Sequence, residues 1–389
     1  MGVQQNNKNH NTSSPSEGEP NPISSKKVMI LAGGTGGHVM PALAVAQYLQ
    51  EKNVAIHWLG TQAGFEARLV PQAGITISYI DIQGLRRTKW YAWALAPWRI
   101  TKALLQSLRV MLRERPDVVL SMGGYVAGPG SVAAWLLRCP LVLHEQNAIS
   151  GWTNRVLSKF AKRIMVAFPN VFSEVIQKVT FTGNPIRKEI LALPSPDERF
   201  IEEEKIQEEV TCHLLILGGS QGAQILNQTV PQALALLPLK LRPKVWHQTG
   251  KSQLEQTKVN YAEHGIEAEV TDFIQDMAKA YAWADIVICR SGALTVAELS
   301  AVGVASILVP FPYAVDDHQT FNAKYLSDRE GAFLLPQSAL SAESLQKILL
   351  EYINNPAKRL AVAKACRQLA KPLATTDVAE LCLEVSCGS

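Results

Sequence analysis

The stretch VMILAGGTGGHVMPALAVAQ, residues 28–47, decides the fold of the first half of this chain. Its apolar start is typical of a buried strand, its four glycines of a tight loop, and the segment from Pro41 of a helix. Backbone N–H groups at such a helix start attract phosphate. His38, at the exit of the loop, is its one side chain able to exchange a proton near neutral pH. The stretch therefore predicts a strand, a phosphate-binding loop and a helix.

A second loop of the same kind, GGSQGA, occupies residues 218–223. Around both loops, short apolar runs alternate with helical segments, which predicts parallel sheets covered by helices. We therefore expect an α/β protein with two doubly wound domains. The predicted strands are 28–31, 54–59, 75–80, 118–121, 140–143, 163–166, 179–182, 213–217, 244–249, 266–270, 285–289 and 305–309.

The two loops predict a nucleotide or another phosphate ligand in the cleft between the domains. Neither loop fits GxGxxG, and the chain contains no GxxxxGK[ST], so NAD and ATP are disfavoured. For each loop taken alone, a tight strand-to-helix turn without a ligand stays open as the alternative.

Length and composition are typical of a globular protein with two domains, since single cores stop growing near ~250 to 300 residues. Of 389 residues, 47% are hydrophobic and 19% charged, and the net charge of +4 is too small to indicate nucleic acid. We predict a disordered tail at 1–25, an N-terminal domain at 26–186 and a C-terminal domain at 187–374. A final helix at about 375–389 is expected to join the N-terminal domain.

The spacing of the cysteines and the hydropathy of the chain indicate the cellular compartment. The six cysteines show no CxxC spacing, which is typical of reduced thiols in a cytosolic protein. Residues 1–25 are polar and do not resemble a signal peptide. No run approaches the ~20 apolar residues needed to cross a bilayer, so we expect any membrane contact to be peripheral.

A third strand-to-helix junction is CRSGALTVAELS, residues 289–300. Its small residues allow close backbone approach, and Glu298 falls about one turn inside the predicted helix. A carboxylate there could accept hydrogen bonds from two vicinal ribose hydroxyls. The alternative is an exposed acid that the helix dipole favours.

Seven motifs in this order and spacing carry a resemblance: GGTGGHVMPALAVA, MGGYVAGP, HEQN, GNPIR, GGSQGA, RSGALTVAE and DDHQTFNA. They resemble the MurG family of peptidoglycan glycosyltransferases over about residues 26–385. That family moves N-acetylglucosamine (GlcNAc) from UDP onto lipid I, undecaprenyl-pyrophosphoryl-MurNAc-pentapeptide, to form lipid II. The resemblance implies the GT-B architecture, two Rossmann-like domains facing across a cleft, with the last helix crossing back onto the first domain.

The resemblance also implies where the donor UDP-GlcNAc binds, mainly on the C-terminal domain. The backbone of Ile274 is expected at the uracil, Glu298 at the ribose and Ser220 at the diphosphate. Arg187 is expected to contact the nucleotide and Gln319 the sugar hydroxyls. The remaining implied contacts are Thr35, Gly36, Gly37, Asn147, Ala293, Leu294, Thr295, Val296 and Ala297.

Transfer from an α-linked donor to a β-linked product requires one inversion, and hence one general base for the acceptor hydroxyl. By resemblance the base is His38, with a purely structural histidine as the alternative and Glu145 of HEQN as a second candidate. No Asp-x-Asp pair occurs. Helix starts and Arg187 are then expected to stabilise the leaving diphosphate, with no metal or cofactor required.

A lipid acceptor calls for a membrane-facing surface, and residues 85–115 fit it because tryptophans alternate with basic residues. Tryptophan favours the headgroup boundary, and each Lys or Arg near anionic lipid contributes about 1 kcal/mol. Burial of some tryptophans in the core is the alternative. The predicted membrane patch comprises Leu85, Arg86, Arg87, Lys89, Trp90, Trp93 and Trp98.

The sequence thus predicts an inverting N-acetylglucosaminyltransferase at the cytoplasmic face of the cell membrane. Its expected partners are UDP-GlcNAc, lipid I and an anionic membrane surface, with other cell-wall synthesis and division proteins as further candidates. Two alternatives stay open. One is another GT-B enzyme acting on UDP-GlcNAc, either a 2-epimerase or a transferase with a soluble acceptor. The other is a non-catalytic UDP-sugar-binding scaffold.

Overall fold

The computed structural model of the chain describes Gly2 and residues 26–82, 96–206, 212–219 and 221–387. Apart from Gly2, the predicted tail lies outside the described residues, as do Ser220 and most members of the predicted membrane patch. Those members are Leu85, Arg86, Arg87, Lys89, Trp90 and Trp93.

The first half folds around a parallel sheet. Its strands are β1 (Lys27–Leu31), β2 (Ala55–Gly60), β3 (Thr76–Tyr79), β4 (Val118–Ser121), β5 (Leu141–Glu145), β6 (Arg163–Val166) and β7 (Val179–Phe181). Among the described residues they form a seven-stranded sheet in the order β3-β2-β1-β4-β5-β6-β7. Its central strands are buried on both faces, as their continuous apolar runs predict.

Helices cover both faces of this sheet. They are α1 (Gly36–Glu51), α2 (Glu66–Gln72), α3 (Ala96–Glu114), α4 (Ala127–Leu136) and α5 (Trp152–Leu157), and a 3₁₀ helix spans Ser173–Lys178. α1 buries Val39, Leu43 and Leu49 against β1 and its neighbours. Because α1 starts directly at the glycine loop, this packing fixes the loop over the end of the sheet.

The second half repeats the design with β8 (His213–Leu217), β9 (Lys244–Gln248), β10 (Glu269–Thr271), β11 (Ile286–Cys289), β12 (Ala305–Leu308) and β13 (Phe333–Leu334). These six parallel strands have the order β10-β9-β8-β11-β12-β13. The described helices of this half are α6 (Lys188–Leu191), α7 (Pro196–Ile206), α8 (Gln224–Ala235), α9 (Leu254–Glu263), α10 (Met277–Trp283), α11 (Ala293–Val302), α12 (His318–Ser327), α13 (Ala342–Asn354), α14 (Pro356–Gln368) and α15 (Ala374–Cys387). Short 3₁₀ helices span Leu239–Leu241, Lys251–Gln253, Val315–Asp317 and Gln337–Ala339.

The prediction of two doubly wound α/β halves is confirmed. Three strands, 118–121, 163–166 and 213–217, have the predicted bounds. The strand predicted at 266–270 was wrong at its start, because Ile266 instead ends the turn after α9, where its N–H donates to the Tyr261 carbonyl and its side chain joins the core. β13, of two residues, was missed.

Several contacts connect the described parts of the two halves, and two of them involve the hydrophobic core. Phe168, after β6, packs edge-on against Tyr325 of α12, with 5.2 Å between ring centroids. The final helix α15 returns to the first half, where Val378, Ala379 and Cys382 join the core around β1. No helix of the described residues is both long and apolar enough to cross a membrane.

Candidate active site

The site lies where the strand order of each sheet reverses. β1 pairs with β4, and β8 with β11, so the loops after these strands are neighbours in each half. GGTGGH follows β1, MGGY follows β4, GGSQGA follows β8, and RSGA follows β11. In doubly wound folds ligands bind at such switch points, and both predicted phosphate loops lie at one.

Glycines allow the two loops of the first half to touch. Gly124 has φ +82°, and a Cβ on it would lie 2.0 Å from the carbonyl oxygen of Gly33. Gly123 has φ +96°, and a Cβ there would lie 2.6 Å from Nδ1 of His38. A side chain at either position would displace the loop or the imidazole.

Glu66 of α2 is fully buried, and its carboxylate holds the glycine loop that follows β1. Its carboxylate accepts hydrogen bonds from the backbone N–H of Gly34 at 2.9 Å, and from the N–H and the hydroxyl of Thr61 at 2.8 and 2.7 Å. Hydrogen bonds to a carboxylate are stronger than neutral ones. Nothing in the sequence distinguishes Glu66, because an acid in the first turn of a helix is common.

His38 is half-buried at the start of α1. Its Nδ1 lies 3.1 Å from the carbonyl oxygen of Met122 and 3.1 Å from Oε1 of Gln146. Both partners accept hydrogen bonds, so Nδ1 carries the hydrogen and Nε2 holds the lone pair. This is the tautomer that a base acting through Nε2 needs.

Glu145, the second candidate for the base, is buried and holds the loop that follows β5. Its Oε1 accepts from the N–H of Asn147 at 3.0 Å. Its Oε2 accepts from the N–H of Gly151 at 3.2 Å and from Nδ2 of Asn154 at 2.8 Å. Because these bonds engage both oxygens, the geometry favours His38 over Glu145 as the base.

In the second half, the GGSQGA loop is fixed by its neighbours. The N–H of Gly218 donates to the Gln248 carbonyl at 3.0 Å, and Gly222 has φ +78° beside the Thr249 carbonyl. The N–H of Ile274 lies 3.3 Å from Oε1 of the same Gln248. Ile274 and the loop, both predicted to contact the nucleotide, are therefore neighbours.

Two buried asparagines join the first half to the start of α11. Nδ2 of Asn184 lies 3.1 Å from the Gln146 carbonyl oxygen and 3.2 Å from that of Ala293. Asn322 of α12 accepts from the N–H of Ala148 at 2.8 Å and donates to the Ser291 carbonyl at 3.2 Å. The loop after β5 and the start of α11 are thereby held together.

Glu298 lies on the buried side of α11. Oε1 accepts a hydrogen bond from Nη2 of Arg187 at 2.8 Å, and Oε2 accepts one from the Tyr281 hydroxyl at 3.1 Å. Burial raises the pKa of Glu298, while Arg187 opposes this effect. Burial also raises the pKa of Tyr281 well above its usual value, so this phenol stays a donor.

The other predicted donor contacts lie along the same cleft. Oε1 of Gln319 accepts from the N–H of Phe311 at 2.9 Å, and the Gln319 carbonyl accepts from the Ser291 hydroxyl at 2.8 Å. Val296 packs in the core, so only its backbone could reach a ligand. The remaining members are at least partly exposed at the loop after β1, the loop after β5 or the start of α11: Thr35, Gly36, Gly37, Asn147, Leu294, Thr295 and Ala297.

Five residues that the sequence analysis did not assign connect these groups: Glu66, Gln146, Asn184, Tyr281 and Asn322. Three of them, Gln146, Asn184 and Asn322, belong to the motifs quoted above, but the resemblance assigned them no role. In the part of the chain that the structure describes, no cluster of three or more His, Cys, Asp or Glu side chains could hold a metal ion.

Two Rossmann-like sheets that face each other through their loop edges define the class of two-domain, GT-B glycosyltransferases. Residues 28–166 match the glycosyltransferase family 28 N-terminal domain, and residues 213–378 match the C-terminal domain of that family. The chain belongs to glycosyltransferase family 28.

Curated relatives match almost the whole chain. A protein of Nitrosococcus oceani is 51% identical over 93% of this chain and 99% of its own length. One of Nitrosomonas europaea is 49% identical over 92% and 98%. Both are named UDP-N-acetylglucosamine--N-acetylmuramyl-(pentapeptide) pyrophosphoryl-undecaprenol N-acetylglucosamine transferase.

Solved structures agree with the fold. The crystal structure of Acinetobacter baumannii MurG is 40% identical and has a TM-score of 0.76, covering 92% of this chain and 99% of that one. A UDP-N-acetylglucosamine 2-epimerase has a TM-score of 0.65 at 12% identity, over 92% of this chain and 95% of its own. The second likeness shows a shared fold only.

Glu66→Gln tests the support of the first loop. The amide nitrogen cannot accept a hydrogen bond, so an N–H of Gly34 or Thr61 would lose its partner. We expect the free energy of unfolding to fall by about 1 to 3 kcal/mol, measured by urea denaturation. Glu267→Gln, an exposed acid of the second half, is the matched control. Equal stability of the two variants would contradict the role given to Glu66.

Proposed function

We propose that this chain is an inverting glycosyltransferase that moves GlcNAc from UDP-GlcNAc onto lipid I, forming lipid II for peptidoglycan synthesis. The observation that carries this proposal is the near-complete match to relatives of that name, at 51% identity over 93% of the chain. The match spans both loop edges of the cleft, where the predicted catalytic and donor-binding residues lie.

His38 acts as the general base in this mechanism. Its Nδ1 is occupied by two acceptors, so Nε2 takes the proton from the acceptor sugar hydroxyl. The resulting alkoxide attacks the anomeric carbon of GlcNAc from the face opposite UDP. One bond forms as the other breaks, and the configuration inverts once.

The departing diphosphate needs positive potential, which α11 and Arg187 supply. The cap residue of α11, Gly292, has no side chain, and no acid stands in the first turn of the helix, so its N–H groups can face an anion. Nη2 of Arg187 is anchored by Glu298 at 2.8 Å. We propose that these groups stabilise the leaving UDP with no metal or cofactor required.

The alternatives differ in what they do with the same donor. A 2-epimerase would release the sugar or rearrange it on UDP, and a non-catalytic scaffold would bind UDP-GlcNAc without turnover. The match to relatives named as transferases, at 51% identity over 93% of the chain, favours transfer over both alternatives.

The deciding experiment incubates the purified protein with radiolabelled UDP-GlcNAc and lipid I, or a short-chain analogue of lipid I. We expect the label to move to the lipid fraction in the β configuration. Recovery of labelled N-acetylmannosamine or its UDP derivative would identify an epimerase instead. Retention of all label on UDP-GlcNAc, with binding intact, would identify a scaffold.

His38→Ala removes the proposed base. We expect kcat to fall by about 100-fold or more, with UDP affinity little changed, because the imidazole acts on the acceptor and not on the nucleotide. His264→Ala is the matched control, since the imidazole of His264 lies in the second half, where its Nδ1 is 2.8 Å from the Asn260 carbonyl oxygen of α9. Turnover near the control level would remove His38 from this role.

We also propose that the protein docks peripherally on the cytoplasmic face of the membrane through the N-terminal half, where the lipid acceptor must approach. α3 supports this, because Trp98 is 70% exposed and Leu105 60% exposed on a helix that also exposes Arg99 and Arg109. Trp135, half exposed at the end of α4, adds a further aromatic ring to this half. Exposed tryptophans and cations together favour the headgroup region.

The variant Trp98→Ser with Leu105→Ser tests this surface. We expect the double variant to co-sediment more weakly than wild-type protein with vesicles containing phosphatidylglycerol. Both proteins should bind little to vesicles of phosphatidylcholine alone. Tyr313→Ser is the matched control, because that ring is 80% exposed on the second half. Unchanged sedimentation of the double variant would reject α3 as the docking surface.

A further inference from the structure

The side-chain amide of Gln146 is buried beside His38, and its orientation is fixed. Nε2 donates to the Met122 carbonyl oxygen at 2.8 Å and lies 3.1 Å from Nδ1 of His144. A backbone carbonyl only accepts hydrogen bonds, so the amide nitrogen must face it. The opposite orientation would place two oxygens against each other.

This orientation determines the hydrogen on His144, which is fully buried. Its Nδ1 accepts from Gln146, so its hydrogen lies on Nε2 and donates to the Gly183 carbonyl at 2.9 Å. Burial lowers the pKa of His144 to about 4, and the ring is therefore neutral at neutral pH. A neutral ring with an open Nδ1 is the partner that the Gln146 amide needs.

The orientation also determines the hydrogen on His38. Oε1 of Gln146 points at Nδ1 of His38 at 3.1 Å, and an amide oxygen only accepts. The three side chains therefore admit one consistent set of hydrogens, anchored at two backbone carbonyls, those of Met122 and Gly183. In this set, Nε2 of His38 carries a lone pair and no hydrogen.

The same residue connects the base to the donor side of the cleft. The backbone carbonyl of Gln146 accepts a hydrogen bond from Asn184, whose amide also reaches Ala293 at the first turn of α11. Gln146, which directly follows β5, therefore contacts His38 through its side chain and is linked through Asn184 to the helix predicted to bind the donor.

We propose that Gln146, held in place by His144 and the Met122 carbonyl, is a positioning residue that fixes the tautomer and ring plane of His38. It keeps Nε2 unprotonated and directed at the acceptor hydroxyl. This inference rests on the proposed transferase function and on His38 as its base. Gln146 itself need not touch either substrate.

The kinetic test replaces Gln146 with Met, which has a similar length and lacks both amide groups. We expect kcat with a lipid I analogue to fall by about 10- to 100-fold, the usual effect of removing a group that orients a functional histidine. KM for UDP-GlcNAc should stay within about 2-fold, because the donor contacts are intact. Gln47→Met, an exposed glutamine on α1, is the matched control.

A spectroscopic test does not depend on the variant folding. In wild-type protein with ¹⁵N-labelled histidine, at a pH where the imidazole is neutral, His38 should show a protonated Nδ1 and an unprotonated Nε2. His38→Gln identifies the signals by their loss. In Gln146→Met, the fraction with the hydrogen on Nε2 should increase.

The outcomes separate this inference from the proposed function. If wild-type protein transfers GlcNAc to lipid while Gln146→Met keeps the kcat of the control, Gln146 has no positioning role. A wild-type His38 with its hydrogen on Nε2 would overturn the inference regardless of the kinetics. Absence of transfer by wild-type protein, with the tautomer as expected, would contradict the proposed function alone.

Discussion

The site depends on one constraint, the attachment of the loop after β5 to the start of α11 by two buried asparagines. Asn184 and Asn322 reach from opposite sides of this junction and use their amides to join backbone groups of both halves. Leaving such a buried group unpaired costs about 1 to 3 kcal/mol, which disfavours separation of the two segments. The junction holds the predicted base and the predicted donor helix in one site, although they belong to different halves.

Other parts of the site follow from the same need to fix loops at the edge of a sheet. The backbone N–H groups of a loop have few backbone acceptors nearby, so buried carboxylates accept their hydrogen bonds. Glu66 pairs with backbone and hydroxyl donors at the loop after β1, and Glu145 does so at the loop after β5. Both acids accept hydrogen bonds at both of their oxygens and thereby hold a loop at the edge of the sheet. The hydrogen-bond partners of each acid indicate this structural role, which its place in the sequence does not reveal.

Much of the fold could be predicted from the sequence, because buried parallel strands have continuous apolar runs and the glycine loops mark strand ends. β10 shows the limit, since Ile266 has the hydropathy of a strand residue but packs at a helix end. For the site, the motifs identified where residues gather, including His38 and Glu298. They could not identify which side chains meet, because Gln146 and His38, or Tyr281 and Glu298, are brought together only by the packing of separate elements.

Glu298 illustrates how burial and ligand binding can coexist. Arg187 and Tyr281 each use one of its oxygens, although a carboxylate at the ribose needs acceptor positions of its own. A carboxylate has about four acceptor positions, however, so two bonds leave capacity for two vicinal hydroxyls. The Tyr281 hydroxyl and Arg187 also favour the ionised form against the burial that raises the pKa of Glu298. The same two bonds therefore favour the charged form and fix the orientation of the carboxylate, which is the arrangement in which it would accept hydrogen bonds from a nucleoside.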